Sequence, residues 1–123
     1  MRTLIQIGGV LWIVCFLFHV FFWWLFDWQT DLESIKKVNK SIIQVLNLGL
    51  MLCFLVFAYI SLVHTDELLS SALGRTMIAG MAAFGIFRSL LQFPFFELRL
   101  FRSKLVLVGA LLIGIVYTIP LFQ

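Results

Sequence analysis

Five polar side chains stand inside otherwise apolar stretches of this chain: His19, Gln44, Asn47, Arg88 and Gln92. Groups of this kind are costly to place in hydrocarbon, so each needs a partner or a task. Gln44 and Asn47 are three residues apart, and Arg88 and Gln92 four apart, so each pair projects from one helix face. At a rise of about 1.5 Å per residue, His19 lies about 12 Å, Asn47 about 9 Å, Arg88 about 8 Å and Gln92 about 2 Å from one membrane boundary. Gln44 is a turn nearer to it than Asn47. All five therefore fall in the same half of a bilayer. Gly85, one turn from Arg88, leaves room beside the guanidinium.

Arg88 is the sharpest of the five. It keeps its proton in any setting and so requires carbonyls, water, a phosphate or an anionic ligand. If the helices bearing these residues face one another, they enclose a pocket open toward the cytoplasm, roofed by Met51, Met77 and Met81. Such a pocket suits a small anionic or amphipathic molecule, such as a lipid headgroup or a quinone. Two other readings use the same residues. In one, Arg88 snorkels to headgroups while the amides and His19 bond across helices; in the other, the polar set lines a transport path.

Metal and redox chemistry leave fainter traces. Cys15 and His19 are i,i+4 on one helix, and Cys53 and Met51 fall at a similar depth, which are donors for a soft metal. Free Cys is more commonly a small buried hydrophobe, so no metal is expected there. His64 lies at the opposite membrane boundary from His19, so the two cannot share one haem iron; His19 alone, with Arg88 near a propionate, leaves a redox subunit with haem or metal as a further reading, and no cofactor is expected. No acid lies within a span, which disfavours carboxylate-driven proton exchange. The chain also lacks G-x-x-x-x-G-K-[ST], H-E-x-x-H and G-x-S-x-G. Catalysis has no support in these residues.

The elements that position these side chains follow from composition. Of 123 residues, 63% are hydrophobic and 12% charged, and the mean hydropathy is +1.09. A soluble chain this small has too little interior to hide so much apolar surface, which makes lipid the solvent. Four stretches reach the roughly 20 residues that a transmembrane helix needs: 4–26, 41–63, 74–93 and 103–122. The first is too long for a signal-peptide core and shows no A-x-A site, so it reads as a retained helix. Short connections imply an all-α, antiparallel up-down bundle of four helices in a single domain.

Charge sets the orientation. Lys36, Lys37, Lys40, Arg99, Arg102 and Lys104 lie on one side, against Arg2 and Arg75 on the other. Basic residues gather in cytoplasmic connections, so 27–40 and 94–102 are expected inside the cell and both termini outside, in a cell membrane. The net charge of +3 thus needs no nucleic acid.

The connections carry their own signals. Thr30-Asp31-Leu32-Glu33 matches a capping box, which predicts an interfacial helix with Leu32 and Ile35 toward lipid. Asn39 is placed to cap the second span, and Thr65 to start a helix that runs on into the third. Pro94 should end the third span nearby. Small residues mark close helix packing within the bundle or between protomers: Gly80, Ala83 and Gly85 in the third span, and Gly109, Ala110 and Gly114 in the fourth. Together these features point to a non-enzymatic accessory subunit that docks a larger membrane complex or a copy of itself, with the fourth span, nearly devoid of polar groups, offering Gly109, Ala110 and Gly114 to the partner.

Overall fold

The computed structural model describes residues 1–123 and contains helices and turns without strands. Seven α-helices follow in order: α1 (Arg2–Val20), α2 (Phe22–Leu25), α3 (Trp28–Asp31), α4 (Lys37–Val63), α5 (Thr65–Ser70), α6 (Ala72–Phe95) and α7 (Phe101–Thr118). A 3-10 turn at Leu32–Ser34 follows α3, and another at Ile119–Phe122 extends α7. Four segments are long and apolar enough to cross a membrane: α1, α4, α6 and Phe101–Phe122. The protein is a multi-pass membrane protein built as an antiparallel four-helix bundle.

The bundle consists of two hairpins. Helix α1 lies along α4, α6 lies along α7, and the hairpins join where α1 meets α7. Helices α4 and α6 meet through large side chains, with the Phe54 and Phe84 rings 6.1 Å apart. Only 25 of the 123 residues are buried, because lipid leaves an outward Leu or Phe as comfortable as an inward one. The core is centred on Trp12, which is fully buried among Phe54, Phe57, Phe84 and Tyr117 at centroid distances of 5.1 to 6.2 Å.

The first span is broken where the sequence predicts continuity to residue 26. Helix α1 stops at Val20, Phe21 turns with φ −85° and ψ 3°, and α2 resumes for one turn. The Asn47 side-chain amide donates to the His19 carbonyl at 3.0 Å beside this break. A side chain that inserts into the backbone ladder is a common cause of such a bend. The chain then reverses at Asp27, whose φ of 49° puts it in the left-handed region that Asp tolerates better than most residues.

The capping-box expectation at Thr30 is not met. Helix α3 starts earlier, at Trp28, and no side chain caps it. Leu32 turns inward and is buried, while Ile35 stays exposed. Helix α4 starts at Lys37, so Asn39 lies inside it rather than at its cap. Thr65 does not cap either. Its hydroxyl donates back to the Ser61 carbonyl at 2.6 Å, and α5 ends before α6 begins. Ser71 performs the separation: its hydroxyl donates to the Glu67 carbonyl at 2.8 Å and accepts from the Gly74 amide at 2.9 Å. Gly74 is required there, since a Cβ would strike the backbone of Glu67 and Leu68. Pro94 lies in the last turn of α6, where the helix ends.

Candidate functional site

The five polar residues form two clusters and one outlier. In the first cluster, His19 Nδ1 lies 2.8 Å from the Cys15 carbonyl oxygen. A carbonyl only accepts, so Nδ1 carries a proton and donates. The ring stacks on Phe22 at 4.2 Å and meets the edge of Phe54 at 4.9 Å. Asn47 is buried, and besides its bond to the His19 carbonyl it lies 3.6 Å from Met51 Sδ through the same nitrogen. Asn47 Oδ1 is buried without a partner. This cluster pins α4 to the last turn of α1.

The second cluster joins α6 to α7. Arg88 donates to Gln92 Oε1 at 2.8 Å, and Gln92 Nε2 donates to the Ser103 carbonyl at 3.1 Å. Gln92 is fully buried, whereas Arg88 is partly exposed and lies 5.3 Å over the Phe96 ring. No hydrogen bond links this cluster to the first. Gln44 stands apart from both. It lines two open grooves of about 440 and 490 Å³ with Lys40, and neither groove includes His19, Asn47, Arg88 or Gln92.

The donors weighed for a metal do not assemble. Cys53 lies on the exposed side of α4, Cys15 is partly buried on α1, and no three His, Cys, Asp or Glu side chains converge. His64 is engaged by Glu67 at 2.9 Å at the end that holds the termini.

The small residues divide sharply. Gly85, Ala110 and Gly114 are buried where α6 crosses α7: a Cβ on Gly85 would stand 2.5 Å from the Gly114 nitrogen and 2.9 Å from the Ala110 carbonyl. That face of the fourth span is therefore occupied by the third and is not open to a partner. Gly49, Gly80 and Gly109 have open space where a Cβ would go. Around Gly80, Ala72, Thr76, Ala79 and Ala83 are all exposed along one face of α6. The Thr76 hydroxyl is satisfied by the Ala72 carbonyl at 3.1 Å, so this face presents no free polar group. The outward face of α4 is bulkier, with Val45, Leu46 and Leu52 each more than 60% exposed around a single glycine, Gly49. No family model, curated protein or solved structure matches the chain, so the functional argument rests on these faces and clusters.

A further polar cluster escaped the sequence reading because its members are individually unremarkable. Ser61 Oγ and the Tyr117 hydroxyl lie 2.6 Å apart, both fully buried, with Thr65 bonded to the Ser61 carbonyl a turn away. Gly8 makes room for Tyr117, since a Cβ there would lie 2.5 Å from the hydroxyl oxygen. The i,i+4 spacing of Gly8 with Trp12 and of Ser61 with Thr65 was the available signal. The cluster ties α4 to α7 near the end that holds the termini. At that end Arg2 also pairs with Asp66, and Arg75 donates to the Leu121 carbonyl at 2.9 Å.

Proposed function

We propose that the protein is a non-enzymatic interaction subunit of the cell membrane, docking a transmembrane helix on the outward face of α6. The docked helix belongs to a larger complex or to a second copy. One observation carries this reading: Thr76, Ala79, Gly80 and Ala83 form an exposed row with open space at Gly80. Helix interfaces in lipid are built from small residues because association there depends on close backbone packing. A face meeting only lipid has no need of a row of them: the outward face of α4 carries the isolated Gly49 among Val45, Leu46 and Leu52. The polar clusters support the same reading, since the bonds from Asn47 to His19 and from Gln92 to Ser103 run between the chain's own helices.

Orientation follows from the charge bias, which places the connections 27–40 and 94–102 in the cytoplasm and both termini outside. The docking face is tested by attaching a photoreactive maleimide to Ala83→Cys in a Cys15→Ser, Cys53→Ser background and illuminating native membranes. The expected result is a discrete adduct, of two copies or of a heavier partner, that Gly80→Leu removes. Leu46→Cys on α4 serves as the lipid-facing control. Labelling at Ala83 no more discrete than at Leu46 would overturn the assignment.

A further inference from the structure

We propose a second site, independent of the α6 docking face: Arg88 seats one tightly held anionic phospholipid, whose phosphate takes the guanidinium donors that the protein leaves unused. The guanidinium has five N–H donors, and Gln92 Oε1 is its one protein acceptor. It is held in place from two sides. Gln92 is itself fixed by the Ser103 carbonyl at 3.1 Å and is 1% exposed, and the Phe96 ring lies beneath at 5.3 Å. Arg88 is therefore a pre-set fork rather than a freely snorkelling side chain, and a fork of this shape matches a phosphate bidentately.

No carboxylate competes for it. Glu97 accepts from Arg99 Nε at 3.0 Å, and the salt bridges of this chain do not include Arg88. The surrounding charge is lopsided. Seven basic residues, Arg88 among them, lie toward the end formed by the two connections, where the acids are Asp27, Asp31, Glu33 and Glu97. At the other end Arg2 and Arg75 are balanced by Asp66 and Glu67, so the whole formal charge of +3 resides at the end of the bundle toward which Arg88 lies. Such a field attracts an anionic headgroup and opposes the ammonium of a zwitterionic one. Exposed Phe93, Phe95 and Phe101 supply the aromatic belt in which the glycerol region of a lipid sits.

The full chain, reconstituted in phosphatidylcholine with one part in ten phosphatidylglycerol, is released into native mass spectrometry at energies that strip loosely held lipid. Wild type should keep one phosphatidylglycerol, enriched at least tenfold over its share of the bilayer. Arg88→Gln should lose that enrichment, Arg88→Lys should keep only part of it, and Lys36→Gln with Lys37→Gln, which weakens the field but leaves the fork, should keep most of it. Equal retention by wild type and Arg88→Gln would overturn the site, as would retention of phosphatidylcholine by wild type in proportion to its abundance. The wild-type measurement stands even if Arg88→Gln fails to fold. Adding inorganic phosphate to wild type in pure phosphatidylcholine separates the two sources of the anion: a bound phosphate that prevents later uptake of phosphatidylglycerol would overturn the lipid assignment.

Discussion

Two glycines of one helix should respond in opposite directions to the same substitution. A Cβ at Gly85 would stand 2.5 Å from the Gly114 nitrogen, where ordinary contact begins at 3.4 Å. The obstacle is backbone, so no rotamer change relieves it; α6 and α7 must separate by about 1 Å. That separation stretches the Gln92–Ser103 bond from 3.1 Å to beyond useful length. Overpacking of this kind costs about 1–3 kcal/mol, against which alanine returns up to about 1 kcal/mol of helix propensity. The net is a loss of about 0–2 kcal/mol, and the broken Gln92–Ser103 bond raises the expected loss for Gly85→Ala to about 1–3 kcal/mol. Gly80 meets nothing within 4 Å, so Gly80→Ala collects the propensity gain without the collision. Unfolding in mixed micelles of rising sodium dodecyl sulfate fraction, followed by far-UV circular dichroism at high dilution, compares the two. A Gly85→Ala variant as stable as Gly80→Ala would show that α6 and α7 do not cross at these glycines.

Two further substitutions address the polar clusters. Tyr117→Phe removes the 2.6 Å bond to Ser61 while keeping the ring that packs on Trp12, and should cost about 0.6–1.7 kcal/mol in the same titration, the range of interhelical bonds in lipid. A loss of several kcal/mol would mean that the hydroxyl supports more than this pair. Asn47→Leu removes a donor but also removes a buried oxygen with no partner, so the two effects nearly offset and stability should change by less than about 1 kcal/mol. In Asn47→Leu, hydrogen exchange at Trp23, the amide four residues beyond the His19 carbonyl, should slow if the Asn47 bond is what bends the first span. Unchanged exchange there would assign the bend to the aromatic run instead.

The count and approximate limits of the four spans were legible because hydrocarbon thickness imposes length and charge is expelled to the ends. Lys36 through Lys40 and Glu97 through Lys104 marked those ends as clearly as any structure could. The local turns were less legible. Thr30–Glu33 has the residues of a capping box, but Asp27 accepted a left-handed backbone and started the helix first. Thr65 has a good capping side chain, yet its hydroxyl found a buried carbonyl one turn back. In both cases two local hydrogen-bonding solutions of similar strength competed, and tertiary position chose between them.

Helix pairing was the least legible feature, for a reason specific to lipid. In a soluble bundle the apolar stripe announces the inward face, but here leucine and phenylalanine lie on both faces, as the exposed Leu46 and buried Phe54 of α4 demonstrate. The remaining signals are small residues and polar residues, and each is ambiguous alone. Gly80 and Gly85 are five residues apart on one helix, yet one faces outward and the other touches the backbone of α7. What separates them is the polar anchor nearby: Gln92, about two turns from Gly85, reaches the Ser103 carbonyl and commits that side of α6 to α7. Gly80 has no such anchor within the chain. The row of small residues around it therefore lacks an intramolecular explanation, which is the ground on which we propose a second helix as its partner.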